Sequence, residues 1–228
     1  MVDATDMARL RRLVYLRMPV MLAAMLGIWL LAAGTTRYWQ GWMVGATFLV
    51  LLLGVGTFFL AADPEFLLRR VQFREKEMAQ RKVMRLWSLL SIGALVLPPL
   101  DVRFEWSRLP AAACVAGYAV MLAAYAFVLW VFRTNRYASR IVEVQPGQTV
   151  IATGPYAMVR HPMYASQIVM MPALMIALGS LWTAGLALLI VIPLVLRIRN
   201  EEDVLRRELA GYGEYCEKVR YRLIPGVW

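Results

Sequence analysis

Two short polar stretches of this chain carry side chains that could do chemistry. The first is TGPYAMVRHPMY, Thr153 to Tyr164, which holds the only histidine, His161, beside Arg160 and between the phenols Tyr156 and Tyr164. Pro162 opens an apolar run, and proline is favoured at a first helical position, where its missing N–H would be unpaired anyway. His161 is therefore predicted at a helix N-terminus. Unpaired amides and the positive end of the helix dipole there attract a carboxylate or phosphate, a preference that Arg160 strengthens. The second stretch is RIRNEE, with Arg197, Arg199, Glu201 and Glu202. Each stretch also has a plainer reading, the first as a topological arginine with a capping histidine, the second as an ion pair along one helix face. Together they offer an anion-binding end and a carboxylate end, which suits a ligand carrying both an ammonium and a carboxylate.

The elements that must position these groups are apolar. The chain has 228 residues, of which 61% are hydrophobic, with a mean hydropathy of +0.57. It reads as an integral membrane protein. A formal charge of +10 could suggest nucleic acid, but the cations lie between apolar spans and not on one face of a soluble fold, so no nucleic-acid partner is expected. Two cysteines and one histidine make neither a disulfide framework nor a protein-ligated metal site.

The first apolar run, Met18 to Ala33, follows basic residues and could pass for a signal peptide; a retained first span keeps the charge pattern regular and is preferred. The second span is Gly41 to Ala62, with Trp39 and Trp42 at its interfacial end. Residues 63–85 are charged; Asp63-Pro64 reads as a helix cap and first-turn proline, and Phe66, Leu67, Arg70, Val71, Arg74 and Met78 recur as on a helix lying on the headgroups, or in a solvated basic loop. A third span is predicted from Leu86 to Leu100, closed by Pro98-Pro99, and a fourth from Leu109 to Phe132. A turn flanked by extended chain is expected around Gln145 to Val150.

The block from Ala165 to Leu196 exceeds the ~20 residues of one span. Gly179-Ser180 divides it into a helical hairpin whose two arms carry Pro172 and Pro193, which should kink them. The hairpin brings the start of span five and the end of span six together, and so brings Glu201 and Glu202 near His161 and Tyr164. The tail is predicted helical as far as Ala210, with Leu205, Leu209, Tyr212, Cys216 and Val219 on one packing face and Gly211 and Gly213 as breaks. Of the 25 Lys and Arg residues, 22 fall before span one, between spans two and three, between four and five, and after six. Only Arg37, Arg103 and Arg108 lie on the other side, which puts both termini and both polar stretches in the cytoplasm.

GPYxxxRHPxY, a helical hairpin, then R-x-x-x-EE and a tail ending in R-L-I-P resemble the isoprenylcysteine carboxyl methyltransferase family and its phospholipid methyltransferase relatives. The residues concerned are Gly154, Pro155, Tyr156, Arg160, His161, Pro162, Tyr164, Arg197, Glu201, Glu202 and Leu223-Ile224-Pro225. A looser likeness to bacterial members, at Asp63-Pro64-Glu65 and Asn135-Arg136-Tyr137, implies a bacterial inner membrane. The resemblance implies an S-adenosylmethionine site in which Tyr156, Arg160, His161, Pro162, Met163 and Tyr164 line the cofactor and Glu201 accepts its ammonium. Gln148, Thr149, Val150 and Ile151 would pass beside the nucleoside. It implies also that Arg197 stands near the acceptor carboxylate, with Arg199 and Glu202 as catalytic neighbours. Ser166 replaces the family's usual glycine, which could narrow the way in for lipid.

The expectation is an all-α polytopic membrane protein of about six spans. Spans one to four lie in residues 1–132 and a cofactor-binding core, ending in a cytoplasmic helix, in 133–228. The expected activity is transfer of a methyl group to a lipid-borne acceptor, foremost the carboxylate of a prenylated cysteine. An ionised carboxylate needs no general base; an amine acceptor, as in phospholipid N-methylation, would need one, with Glu202 or His161 available. The rivals are a nicotinamide-dependent membrane reductase, since R-H-P-x-Y occurs in such enzymes, and a non-catalytic lipid-binding protein.

Overall fold

The computed structural model describes residues 3–71, 88, 92–93, 96–137, 144–145 and 147–228. Among them there is helix and no strand. Among the described residues four helices are long and apolar enough to cross a membrane: α1 (Ala4–Ala33), α2 (Trp39–Ala62), α5 (Ala111–Thr134) and α7 (Leu181–Glu208). Between them lie α3 (Pro64–Val71), α4 (96–104) and α6 (Pro162–Ala177), and α8 (Tyr212–Lys218) follows α7. At 16 residues, α6 is the shorter arm of the hairpin. Much of the expected third span, and residues 72–85 of the interfacial stretch, fall outside the described residues.

Helix α1 starts at Asp3, whose carboxylate accepts from the Asp6 N–H at 2.6 Å, and ends at Gly34 in the left-handed region. Its Leu13–Arg17 segment widens into a π-helix. Pro19 explains this, because it cannot donate to the Tyr15 carbonyl and its ring would clash with that oxygen in a regular helix. Close approach of α1 to α2 relies on Gly56, where a Cβ would stand 2.6 Å from Val14 Cγ1. As expected, Asp63 and Pro64 start a helix: Asp63 Oδ1 accepts from the Phe66 N–H at 3.0 Å. Phe66 stacks on Phe59 and meets the edge of Phe132, which ties α3 to α2 and α5.

Pro98-Pro99 does not close a helix. Proline's fixed φ is itself helical, and α4 continues to residue 104, ending where Glu105 takes φ 53° and Asp101 accepts the Ser107 N–H at 2.6 Å.

The most extensive helix–helix contact among the described residues joins α5 to α6. At Gly117 an added Cβ would lie 2.7 Å from Ile176 Cγ2 and 3.0 Å from the Ala173 carbonyl. Ser166 Oγ donates to the Ala124 carbonyl at 2.8 Å, so this side chain fastens the two helices together and does not face the cavity described below. Trp29, Tyr38, Val44, Met121, Met175 and Leu178 fill the core beside them, and Tyr38 donates to the Leu178 carbonyl at 2.6 Å.

The hairpin forms where expected. Gly179 (φ 91°) reverses the chain, and Ser180 caps α7 by accepting from the Thr183 N–H at 3.2 Å. In α7 the chain tightens to a 3-10 turn at Leu188–Ile190, where Pro193 leaves the Leu189 carbonyl without its usual donor. Beyond α7, Gly211 (φ 80°) breaks the helix, whereas Gly213 lies inside α8.

Candidate functional site

Thr153 to Tyr164 is shaped by glycine and proline. Gly154 sits at φ 56° with Thr134 Oγ1 3.1 Å from where a Cβ would be, so no other residue fits there without strain. The 3-10 turn Gly154–Ala157 then delivers Tyr156. The next residues run against the tail: the Arg160 N–H donates to the Tyr221 carbonyl and the His161 N–H to the Arg222 carbonyl, both at 2.9 Å. The amides of Arg160 and His161 are therefore not free to hold an anion beside the start of α6.

Two adjacent glutamates of α7 do different work. Glu201 faces the cavity; its Oε2 accepts from the Tyr164 hydroxyl at 2.6 Å, and that hydroxyl accepts from Arg197 Nε at 2.8 Å. Arg197 and Glu201, four residues apart, lie on one helix face, and the phenol bridges them. Glu202 is turned about 100° away and is only 2% exposed. It receives Arg160 Nε at 2.8 Å on Oε1 and Arg222 Nε at 3.0 Å on Oε2, with His161 Nε2 3.3 Å from Oε1. Arg160 also donates to the carbonyls of Val219 (3.0 Å) and Cys216 (3.3 Å). Arg222 lies over the Trp228 ring, and Trp228 packs against the apolar cluster that contains Tyr164, Leu194 and Ile198. Glu202 is thus an anchor that fixes the loop, α7 and the tail to one another.

The cavity in front of these groups holds about 110 Å³ and opens to solvent. Gln148, Thr149, Val150, Ile151, Tyr156, Arg160, His161, Pro162, Met163, Tyr164, Arg197 and Glu201 all line it, so the structure brings these sequence-selected residues together. Two selected residues are not brought there. Arg199 is exposed, because two residues at about 100° each put it on the opposite side of α7 from Arg197. Glu202 lies behind the wall, held by its cations.

The cavity also uses residues that the sequence reading did not select: Asn135, Tyr137, Leu205, Leu209, Tyr212 and Tyr215. Leu205, Leu209 and Tyr212 were visible as a periodic face, and the partner of that face is partly the cavity itself. Tyr215 donates to the Tyr156 carbonyl at 2.8 Å, and burial, with Tyr156 beside it, pushes its phenol up from the ordinary value, so it stays a neutral donor. Tyr137 donates to the Gly147 carbonyl at 3.0 Å and accepts Gln145 Nε2 on its own carbonyl at 2.9 Å, which ties down the start of the 147–151 segment beside the site. Among the described residues no group of His, Cys, Asp and Glu side chains is arranged to hold a metal ion.

Residues 112–211 match the model of a protein family described as phospholipid methyltransferase, a family that includes membrane methyltransferases like those acting on isoprenylcysteine. The match runs from α5 through the GPY turn and both arms of the hairpin to Gly211, and so contains the bridged Arg197, Tyr164 and Glu201. No curated protein matches the chain.

Proposed function

On the premise that residues 112–211 are a phospholipid methyltransferase domain in a membrane protein, we propose that the cavity takes S-adenosylmethionine and that the acceptor is lipid-borne, foremost the carboxylate of a prenylated cysteine. The observation that carries the proposal is the phenol-bridged pair on the cavity wall, which puts a carboxylate and a guanidinium within reach of one ligand.

The donor set suits the cofactor. Glu201 has one oxygen held by Tyr164 and none of the described residues bonded to its other oxygen, which leaves an acceptor for an ammonium. Tyr156, Met163 and the 148–151 segment supply flat and apolar walls for a nucleoside. When bound, S-adenosylmethionine supplies a methyl group already activated on a sulfonium. The protein then has to align, to exclude water and to place charge. Arg197 orients an anionic acceptor, and Tyr164 fixes the guanidinium that does so. Leu205 and Leu209 keep water from that side of the cavity. No residue has to move a proton, since the acceptor carboxylate is already ionised.

The burial of Glu202 against Arg160 and Arg222 favours this acceptor over an amine, because a carboxylate so held is a poor base. A second reading has one observation in its favour. His161 lines the cavity with Nε2 turned to Glu202, an arrangement that could leave Nδ1 as a base for a phospholipid amine. Purified protein in lipid nanodiscs, given methyl-labelled S-adenosylmethionine with farnesylcysteine analogues or with phosphatidylethanolamine, separates the two. Label released from farnesylcysteine by mild base, as an ester requires, is the expected result. Base-stable label on phosphatidylethanolamine would promote the amine reading, and NADPH oxidation without methyl transfer would favour a reductase.

A further inference from the structure

Tyr212 differs from three other phenols of the cavity. Tyr137, Tyr164 and Tyr215 each donate to a protein oxygen, whereas Tyr212, only 4% exposed, has a hydroxyl with no hydrogen-bond partner among the described residues. A buried hydroxyl left unpaired is costly and uncommon in a native fold. Its placement is also firm. The left-handed Gly211 turns the chain so that α8 begins at Tyr212, and the ring packs with Leu209, Tyr215, Cys216 and Val219. The ring and that of Tyr215 lie 5.7 Å apart between centroids.

The surroundings indicate what this hydroxyl meets. Burial pushes the phenol up from its ordinary value, as do the nearby charges of Glu202, Cys216 and Glu201, while Arg160 acts the other way. Tyr212 lines the same cavity as Glu201 and Arg160, and its phenol there is a protonated donor. Arg160 already serves Glu202 and two carbonyls, and the backbone amides of Arg160 and His161 serve the tail. A zwitterionic ligand whose ammonium pairs with Glu201 brings its own carboxylate into this same cavity, where a donor is needed.

Resting on the reading of the cavity as an S-adenosylmethionine site, we infer that the Tyr212 hydroxyl is a binding residue that donates to the carboxylate of the ligand's amino-acid part. It thereby selects ligands that keep this part over nucleosides that lack it.

Calorimetry on the full-length protein in detergent, with S-adenosylhomocysteine and with 5′-methylthioadenosine, tests this on wild type and Tyr212→Phe. The variant should bind S-adenosylhomocysteine about tenfold or more weakly, as loss of a hydrogen bond to a charged group implies, and methylthioadenosine as well as wild type does. Ligand-free Tyr212→Phe should melt at or above the wild-type temperature, because it removes an unpaired buried hydroxyl, and its ligand-induced rise should be the smaller. Unchanged affinity for S-adenosylhomocysteine, an equal loss for both ligands, or a marked fall in ligand-free melting temperature would each overturn the inference. If wild type itself does not bind S-adenosylhomocysteine, the cofactor reading fails and takes the inference with it.

Discussion

The hairpin of α6 and α7 has a buried carboxylate at each end, and the two are satisfied in opposite ways. At the Gly179-Ser180 turn, Asp101 is 0% exposed and accepts from the Ser107 N–H and hydroxyl, both at 2.6 Å, and from the Ser180 hydroxyl. Its described hydrogen-bond donors are all neutral. At the cavity end, Glu202 is almost as buried and is met by Arg160, Arg222 and His161. A carboxylate held by neutral donors is a latch, which joins α4 to the hairpin and asks nothing of the rest of the chain. One carboxylate between two arginines is a junction, since those cations arrive from two segments, the loop before α6 and the tail, and each also holds something else. Removing one partner of such a buried cluster leaves the others uncompensated. The difference implies that the turn end keeps the hairpin closed, while the other end sets the position of the cavity wall.

Substitutions at the two ends should therefore differ in kind as well as in size. The largest effect is expected from Glu202→Gln, which leaves buried Arg160 without its counter-charge; a loss of about 3–5 kcal/mol is expected. A lowered melting temperature should come together with lost binding of S-adenosylhomocysteine. Asp101→Asn should cost about 1–3 kcal/mol, the penalty of a mispaired buried group, yet leave ligand affinity as in wild type. If Asp101→Asn weakened binding as much as Glu202→Gln, the division between latch and junction would be wrong. The smallest effect belongs to Arg199→Ala, on the exposed side of α7, where a change within about 0.5 kcal/mol and unaltered turnover are expected. Lost methyl transfer in that variant, with stability intact, would return Arg199 to the site.

The same contrast separates what could be read from the sequence from what could not. Asp63-Pro64, Gly179-Ser180 and the apolar runs other than 86–100 announce their structures locally, through caps, a turn residue and length, and the helices form where these signals place them. The facing of TGPYAMVRHPMY and RIRNEE was legible because a hairpin must bring its two ends together. Long-range partners carry no such signal. Nothing near Glu202 in sequence tells that Arg160 and Arg222 will surround it, so it read as a candidate base. Likewise nothing near Arg160 and His161 tells that the carbonyls of Tyr221 and Arg222 will take their amides. Arg199 was separable from Arg197 and Glu201 by helix geometry alone, since the spacing of two residues already puts it on another face. Tyr212 appeared on a periodic apolar face, but periodicity does not distinguish a face that meets protein from one that meets a cavity.

On the proposed reading, Glu201, held by Tyr164 beside Arg197, receives the ammonium of S-adenosylmethionine. Calorimetric titration of S-adenosylhomocysteine into wild type and Glu201→Gln tests it most directly. Saturable binding by wild type is expected, with affinity at least about tenfold weaker in the variant and an unchanged ligand-free melting temperature. Equal affinity in the two proteins would contradict the role of Glu201, and no binding by wild type at millimolar ligand would contradict the account as a whole.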